Sequence, residues 1–338
     1  MSDPKNRQWL LAERPKGAIE DRNFRWAEAP LPELVADGDV LVRTLYLSVD
    51  PTQRGWISRD TYLPAVPIGD VVRSIGVGRV EKSTHPDFAV GDVVSGMVGW
   101  QDYARLPAKG PGSPMKIVPG VPIPLAMSAL GPTGITAYFG LLDVGRPNPG
   151  DTVVVSGAAG ATGSVVGQIA RIKGCRAIGI AGGQDKCDWL VKVARFDAAI
   201  DYKFENVAAR LRELCPKGID VYFDNVGGDL LDTALAQLAM RGRIVICGAI
   251  ATYNDSELRP GPKNYMNLLV KRGRMEGFLV LDYMKRAPEA VMPLFSWVQR
   301  GELVDRVDVK EGLENAPATL RRLFAGENQG KQLLKIAD

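Results

Sequence analysis

The sequence predicts an α/β fold in which a doubly wound parallel sheet is joined to a second, β-rich domain, and three features carry that prediction. From residue 151 onward, short β-branched runs alternate with stretches of helical apolar spacing. From residue 9 to about 116, strand-like runs follow one another between Gly, Pro and Asp, with few helices. Between them in character, residues 152–172 join a buried-strand run, a glycine-containing turn and a helix in one segment. A chain of 338 residues exceeds what one compact core accommodates and suits two domains.

In order along the chain, strands are expected at 40–45, 76–80 and 92–96, each bounded by turn residues. Residues 117–142 carry no charge over a length that could span a bilayer, but Pro119, Pro122, Pro124 and Pro132 would break a spanning helix. That stretch is read as a buried crossing between domains. Strands then follow at 152–156, 176–181, 198–201, 219–224, 243–247 and 274–280, with helices at 165–172, 186–195, 205–215 and 230–239 between them. Amphipathic helices at 290–300 and 316–325 precede a strand-like run at 330–336 that returns to the first domain. The expected division is 1–124 with 288–338 for the β-rich domain and 125–287 for the parallel-sheet domain.

Composition excludes several classes of function. The chain is 46% hydrophobic and 24% charged, with a net charge of +3 from well-mixed residues, so neither a nucleic-acid tract nor a membrane-binding basic patch is expected. The N-terminus is polar and no apolar core follows it, so no export signal is read and cytoplasmic residence is the expectation. Cys175, Cys187, Cys215 and Cys247 lack C-x-x-C spacing and are read as buried free thiols of a reducing compartment. A catalytic zinc needs three protein ligands. The single histidine, His85, lies in a hydrophilic run and is read as a loop residue, and no cysteine cluster exists, so no metal is expected.

The frame Ala158-Ala159-Gly160-Ala161-Thr162-Gly163 is a G-x-G-x-x-G turn with alanine at the first glycine position. Small residues let a diphosphate approach the backbone, and the helix that follows directs its N–H groups at the anion. Gly160, Ala161, Thr162 and Gly163 are therefore candidates to cradle a dinucleotide at the carboxyl ends of the strands.

Further motifs carry a family resemblance that covers nearly the whole chain. The β-rich beginning, the A-A-G-A-T-G turn and the short C-terminal return resemble the medium-chain dehydrogenase/reductase superfamily. Tyr46-Leu-Ser-Val-Asp-Pro51, Gly163-Ser-Val-Val-Gly-Gln-Ile169, Tyr222-Phe-Asp-Asn-Val-Gly-Gly228, Cys247-Gly-Ala-Ile-Ala-Thr-Tyr-Asn254 and Gly312-Leu-Glu-Asn-Ala-Pro317 are similar to its zinc-independent leukotriene B4 dehydrogenase/prostaglandin reductase group. Gly99-Trp-Gln-Asp-Tyr103 and Ala181-Gly-Gly-Gln-Asp-Lys-Cys187 resemble the bacterial curcumin-reductase branch. The resemblance implies a Rossmann domain with a GroES-like catalytic domain. It also implies an NADPH-dependent reductase of the C=C bond in small, apolar α,β-unsaturated ketones or aldehydes, assembled as a homodimer. Where zinc-dependent members of the superfamily carry Gly-His-Glu, this chain has Gly69-Asp70-Val71.

Residue by residue, the second strand ends without the carboxylate that holds the ribose hydroxyls in NAD enzymes. Lys186 follows it and Tyr202 ends the third strand; the resemblance assigns both to the 2′-phosphate, which favours NADPH, and since Asp185 and Asp188 flank Lys186 an exposed helix-start lysine is the alternative. Asn225 and the run Cys247-Gly248-Ala249-Ile250 stand past strand ends where cofactor contacts fall, with a turn before Gly227-Gly228 as the alternative for Asn225. By resemblance, Phe278, Leu279 and Val280 line the nicotinamide pocket and Asn328 contacts the cofactor. Residues 251–262 form a long loop of the kind used as lids or binding loops. Within it Tyr253 is the candidate catalytic residue: it either donates a hydrogen bond or proton to a developing enolate or orients the nicotinamide ribose, and a loop tyrosine packing its ring is the structural alternative.

On the substrate side the candidates are Asp50, Gln53 and Tyr62. Asp50-Pro-Thr-Gln-Arg54 departs from the group's Asp-Pro-Tyr-Met-Arg, and Gly131-Pro-Thr-Gly134 from its Gly-Met-Pro-Gly, so Tyr62 is the candidate for the missing ring. Two other functions share the cofactor site: a quinone reductase, and an NADPH-binding protein without catalysis.

Overall fold

The computed structural model describes residues 5–110, 112–257 and 259–338; the start of the polar N-terminus and one residue of the 251–262 loop lie outside the described residues. Six parallel strands form one sheet, in the spatial order Ala198–Asp201, Arg176–Ala181, Thr152–Ser156, Ile219–Asp224, Leu238–Ile246, Arg274–Gly277. The apolar runs follow from burial on both faces. Val153 and Val155 join the core beneath the helix Ala161–Ile172, where Val165, Val166 and Ile169 pack. Val154, one residue out of phase, faces the opposite core with Leu211, Ala234 and Leu235. Strand order reverses at Thr152–Ser156, and the crevice for a dinucleotide opens at such a point.

The β-rich part is a seven-stranded sheet built mainly of antiparallel pairs, with Val40–Ser48 at its centre, and a separate hairpin of Lys5–Leu11 with Phe24–Pro30. Its alternating strands bury Val40, Val42, Leu47 and Val80. The C-terminal strand Lys331–Lys335 does return to it, pairing antiparallel with Val40–Ser48 through Leu333 opposite Ser48. No helix among the described residues is long and apolar enough to cross a membrane.

Several elements differ from the sequence expectation, among them the fifth strand, which begins at Leu238 where a helix over 230–239 was expected and so ends that helix at Ala236. The sixth strand stops at Gly277, short of Val280, because its neighbour ends at Ile246, the residue paired with Gly277; Cys247 and Gly248 then turn their N–H groups to the Asp224 carbonyl. Phe278 and Leu279 are loop, and Val280 opens a short 3-10 helix, Val280–Arg286. The glycine turn's helix starts at Ala161, four residues ahead of the apolar pattern. The uncharged stretch 117–142 folds into short helices, Ile123–Met127 and Pro132–Phe139, separated where Pro132 starts the second. The helix Ala287–Gln299, expected to open the return to the β-rich part, lays Ala290, Leu294 and Trp297 into the core beneath the parallel sheet.

Candidate active site

At the tip of Thr152–Ser156 the chain turns through Gly157, whose φ is +58°. The left-handed backbone therefore falls one residue ahead of the G-x-G-x-x-G frame, which frees Ala158 to carry a side chain. That methyl is buried against Gly179 of the next strand, where an added Cβ would meet Ala158 Cβ at 2.9 Å. A Cβ on Gly163 would lie 2.4 Å from the Gly157 carbonyl oxygen, so only glycine lets the helix start this close to the strand. The helix Ala161–Ile172 has no side-chain cap. A helix start without a side-chain cap leaves first-turn N–H groups suited to an external anion. Across them runs the segment 326–330, joined to the turn by a bridge between Gly160 and Gly330. Asn328 sits in this segment with its Nδ2 donating to the Gly330 carbonyl at 2.8 Å.

A cationic corner lies beyond the second strand. Tyr202 lays its ring over Gly182, where a Cβ would meet ring atoms at 2.8 Å, and is 48% exposed. Lys186 Nζ donates to the Gly326 carbonyl at 2.7 Å. Burial lowers the Lys186 pKa, and Lys203, Arg306 and Arg322 push it further down while Asp308 opposes them. The Arg306 guanidinium stands 5.1 Å over the Trp189 ring, and its buried Nη1 has no hydrogen-bond partner among the described residues. Lys203 and Arg306 were not legible as site residues: Arg306 reaches Lys186 from a segment more than a hundred residues away.

The strand tips carry the opposite wall. Asn225 donates its backbone N–H to Ser156 Oγ at 2.9 Å and its Nδ2 to the Ser156 carbonyl at 2.7 Å, tying together two strands at the reversal point. The Asp224 carboxylate beneath is buried and accepts from Ser156 Oγ, Val226 N–H and Gly227 N–H at 2.8, 3.1 and 2.9 Å. Burial raises its pKa, and burial with Asp224 nearby pushes the Cys247 thiol up to about 12, so Cys247 is a neutral packing group. Ala249 and the short 3-10 turn Ile250–Thr252 fold Tyr253 back over Gly248, and its Oη accepts from the Ala249 N–H at 3.2 Å. Because that bond uses an oxygen lone pair, the phenol proton remains available to donate. Burial first, then Cys247, Tyr62 and Asp224, raises the Tyr253 pKa, and the group stays a neutral donor.

The candidate substrate residues divide by what already holds them. Tyr62 is 43% exposed, bonds Thr52 through its hydroxyl at 2.7 Å, and stands near enough to influence Tyr253. Asp50 is occupied by the buried Lys331 ammonium at 2.5 Å and by the Ser48 hydroxyl. Gln53 is 1% exposed; its Oε1 accepts from Asp50 N–H, and its Nε2 donates to the Ser48 and Arg73 carbonyls. Those bonds give Gln53 a role in holding the loop and leave it no free polar group. Phe278 presses on Gly140, where a Cβ would come within 2.4 Å of its ring, and Leu279 is 38% exposed beside it. Arg54 carries no signal of its role in the sequence. It is buried, with Nε donating to Asn254 Oδ1 at 3.1 Å and Nη2 to the Gly17 carbonyl at 2.7 Å, so it fastens the Tyr253 loop to the β-rich part. His85 lies in a loop, its Nδ1 accepting from the Asp87 N–H at 3.1 Å. Among the described residues no three His, Cys, Asp or Glu side chains gather as metal ligands would.

Residues 7–112 match the family described as N-terminal domain of oxidoreductase, and residues 161–297 that described as Zinc-binding dehydrogenase. The second span holds no histidine, since the chain's one histidine is His85. The chain is similar to the NADPH-dependent curcumin reductase of Escherichia coli (strain K12), 41% identical over 340 residues, covering 98% of this chain and 97% of that protein. It is similar to the 2-alkenal reductase (NADP(+)-dependent) of Nicotiana tabacum, 38% identical with 98% of each chain covered. Among solved structures it matches CurA from Vibrio vulnificus in complex with NADPH at a TM-score of 0.90 and 39% identity, over 98% of this chain and 99% of that one.

Proposed function

Because this chain belongs to the zinc-independent medium-chain dehydrogenase/reductase family, we propose that it reduces the C=C bond of α,β-unsaturated ketones and aldehydes with NADPH. The observation that carries the reading is the Tyr253 hydroxyl, which accepts a backbone N–H and keeps its own proton for the cleft. A curcumin reductase and a 2-alkenal reductase are among its relatives, and both named substrates have a C=C bond conjugated to a carbonyl.

The residues fit the cofactor. A Cβ-intolerant turn at Gly163 and uncapped helix N–H groups suit a diphosphate, and the Lys186, Tyr202 and Arg306 corner suits a 2′-phosphate. Bound NADPH supplies the hydride that adds to the β-carbon. The chain's own contribution is at the carbonyl. As charge develops on that oxygen, the Tyr253 O–H donates to it, with Tyr62 nearby. Asn225, Cys247, Gly248, Ala249 and Ile250 shape the wall at the strand tips; Phe278 to Val280 close the nicotinamide side, and Asn328 holds the crossing segment. Asp50 and Gln53 keep the loop bearing Tyr62 in place.

The chain is read as a cytoplasmic homodimer. Support for the dimer comes from Arg274–Gly277, an edge strand with an unpaired side, where Met275, Leu269, Val270 and Leu281 are exposed.

Mixing the protein with NADPH and a panel of enones, enals and quinones, while following NADPH absorbance, tests the reading. Oxidation with enones and enals is expected. Turnover of quinones alone, or NADPH binding without turnover of any acceptor, overturns it. Tyr253→Phe is expected to lower kcat on the order of 10²-fold with cofactor affinity intact, and an unchanged kcat removes the hydroxyl from the chemistry.

A further inference from the structure

A second charged concavity lies at the amino ends of the parallel strands, on the edge of the sheet away from the dinucleotide turn. Arg146, Asn148, Arg241, Arg243, Arg272 and Arg274 line an open pocket of about 300 Å³. Four of its arginines come from one tripeptide used twice, Arg241-Gly242-Arg243 and Arg272-Gly273-Arg274, which parallel pairing sets in register with Arg243 opposite Arg274. The middle residues must be glycine. A Cβ on Gly242 would lie 2.8 Å from the Ile219 carbonyl oxygen, and one on Gly273 would lie 2.9 Å from that of Gly242.

The first arginine of each tripeptide holds left-handed backbone, with φ of +60° at Arg241 and +50° at Arg272, and Arg146 is a third at +46°. Arg146 and Arg272 take it where they end the helical segments Gly140–Gly145 and Asn267–Lys271, a common place for left-handed backbone, so that turns of the chain bring these arginines to one pocket.

Charge points the same way. Asp151 meets Arg243 at 2.5 Å, and Glu276 stands 3.7 Å from Arg274. Arg146, Arg243 and Arg274 also donate to the carbonyls of Asp143, Val144, Gly145 and Arg146, which end the helical turn ahead of the first parallel strand. The remaining two are uncommitted: Arg272 meets only the Val270 carbonyl and the Met240 sulfur, and Arg241 bonds nothing among the described residues. Guanidinium groups gathered without matching carboxylates repel one another, and their planar forks match phosphate oxygens. We propose that this pocket binds a multiply charged phosphate anion of the pyrophosphate or nucleoside polyphosphate class, at a site separate from the cofactor cleft, with Arg241 and Arg272 as its free donors.

Inorganic pyrophosphate is the probe, titrated calorimetrically into protein saturated with NADP+ so that the dinucleotide turn is filled. One equivalent per chain is expected, with affinity falling as salt is added. The double variant Arg241→Asn/Arg272→Asn keeps residues that accept left-handed backbone and removes only the charge. It is expected to bind pyrophosphate at least about tenfold more weakly, to melt no lower than the wild type, and to keep its NADPH affinity and turnover. No binding by the wild type, or equal binding by the variant, overturns the proposal. Should the chain fail to take NADP+, the difference between wild type and variant still decides this site, so the two readings fail separately.

Discussion

Lys186 and Tyr253 are both polar groups half-withdrawn from water, and burial moves their proton equilibria in opposite senses for their work. Burial raises the Tyr253 phenol, which keeps the proton it would donate. Burial lowers Lys186, and the neighbouring cations Lys203, Arg306 and Arg322 lower it further below the ordinary lysine value of 10.5. A 2′-phosphate beside Lys186 favours the charged ammonium and raises the pKa again, so binding takes up a proton wherever the free protein has lost it. NADPH affinity should therefore weaken as pH rises through the lowered Lys186 pKa toward 10.5, whereas NADH, lacking the phosphate, should show no such loss. Fluorescence titrations of both cofactors at stepped alkaline pH check this. Parallel curves for the two would separate Lys186 from the phosphate.

At the scale of elements, the strands at 152–156, 176–181, 198–201 and 219–224 coincide with their sequence expectation because a strand covered on both faces is apolar at most of its inner positions, a signal local enough to read. The sixth strand was overextended for a related reason. Phe278, Leu279 and Val280 are the strand-like apolar part of that stretch, but a strand lasts only as long as its partner, and the partner ends at Ile246. What sequence reading does not reach is contact between distant segments. Gly157 rather than Ala158 takes the positive φ of the cofactor turn, Arg306 approaches Lys186 from the return segment, and Arg54 meets Asn254 across 200 positions. The last of these contacts has a measurable weight. Arg54→Met removes a buried donor from Asn254 Oδ1 and from the Pro15 and Gly17 carbonyls, at a cost of roughly 1–3 kcal/mol for the acceptors left unpartnered. Since Asn254 adjoins Tyr253, kcat should fall with stability while NADPH affinity changes little. Denaturant unfolding beside steady-state kinetics measures both, and a variant of wild-type stability would show that the bonds hold nothing in place.

For the whole molecule, the central question is how the parallel sheet ends. One edge strand, Ala198–Asp201, ends at the cationic corner; the other, Arg274–Gly277, presents its free backbone beside exposed Met275, with Leu269 70% and Val270 56% exposed nearby. An open edge with exposed Met275 and apolar neighbours left in water would invite uncontrolled pairing. A twofold axis toward the carboxyl end of that strand would join two copies edge to edge, satisfying free N–H and carbonyl groups and burying the apolar rim, with Arg272 and the arginine pocket at the margin of the contact. A charge at the centre of that contact, Met275→Asp, faces its own copy across the axis and would be desolvated without a partner, costing several kcal/mol on association. The position lies on the sheet edge, away from the glycine turn and from Tyr253, so the separated chains should still bind NADPH. Light scattering behind a sizing column is expected to give the mass of two chains for the wild type and of one for the variant. A variant that kept the doubled mass would move the interface elsewhere, and a wild type with the mass of one chain would leave the open edge to be explained by something other than self-association.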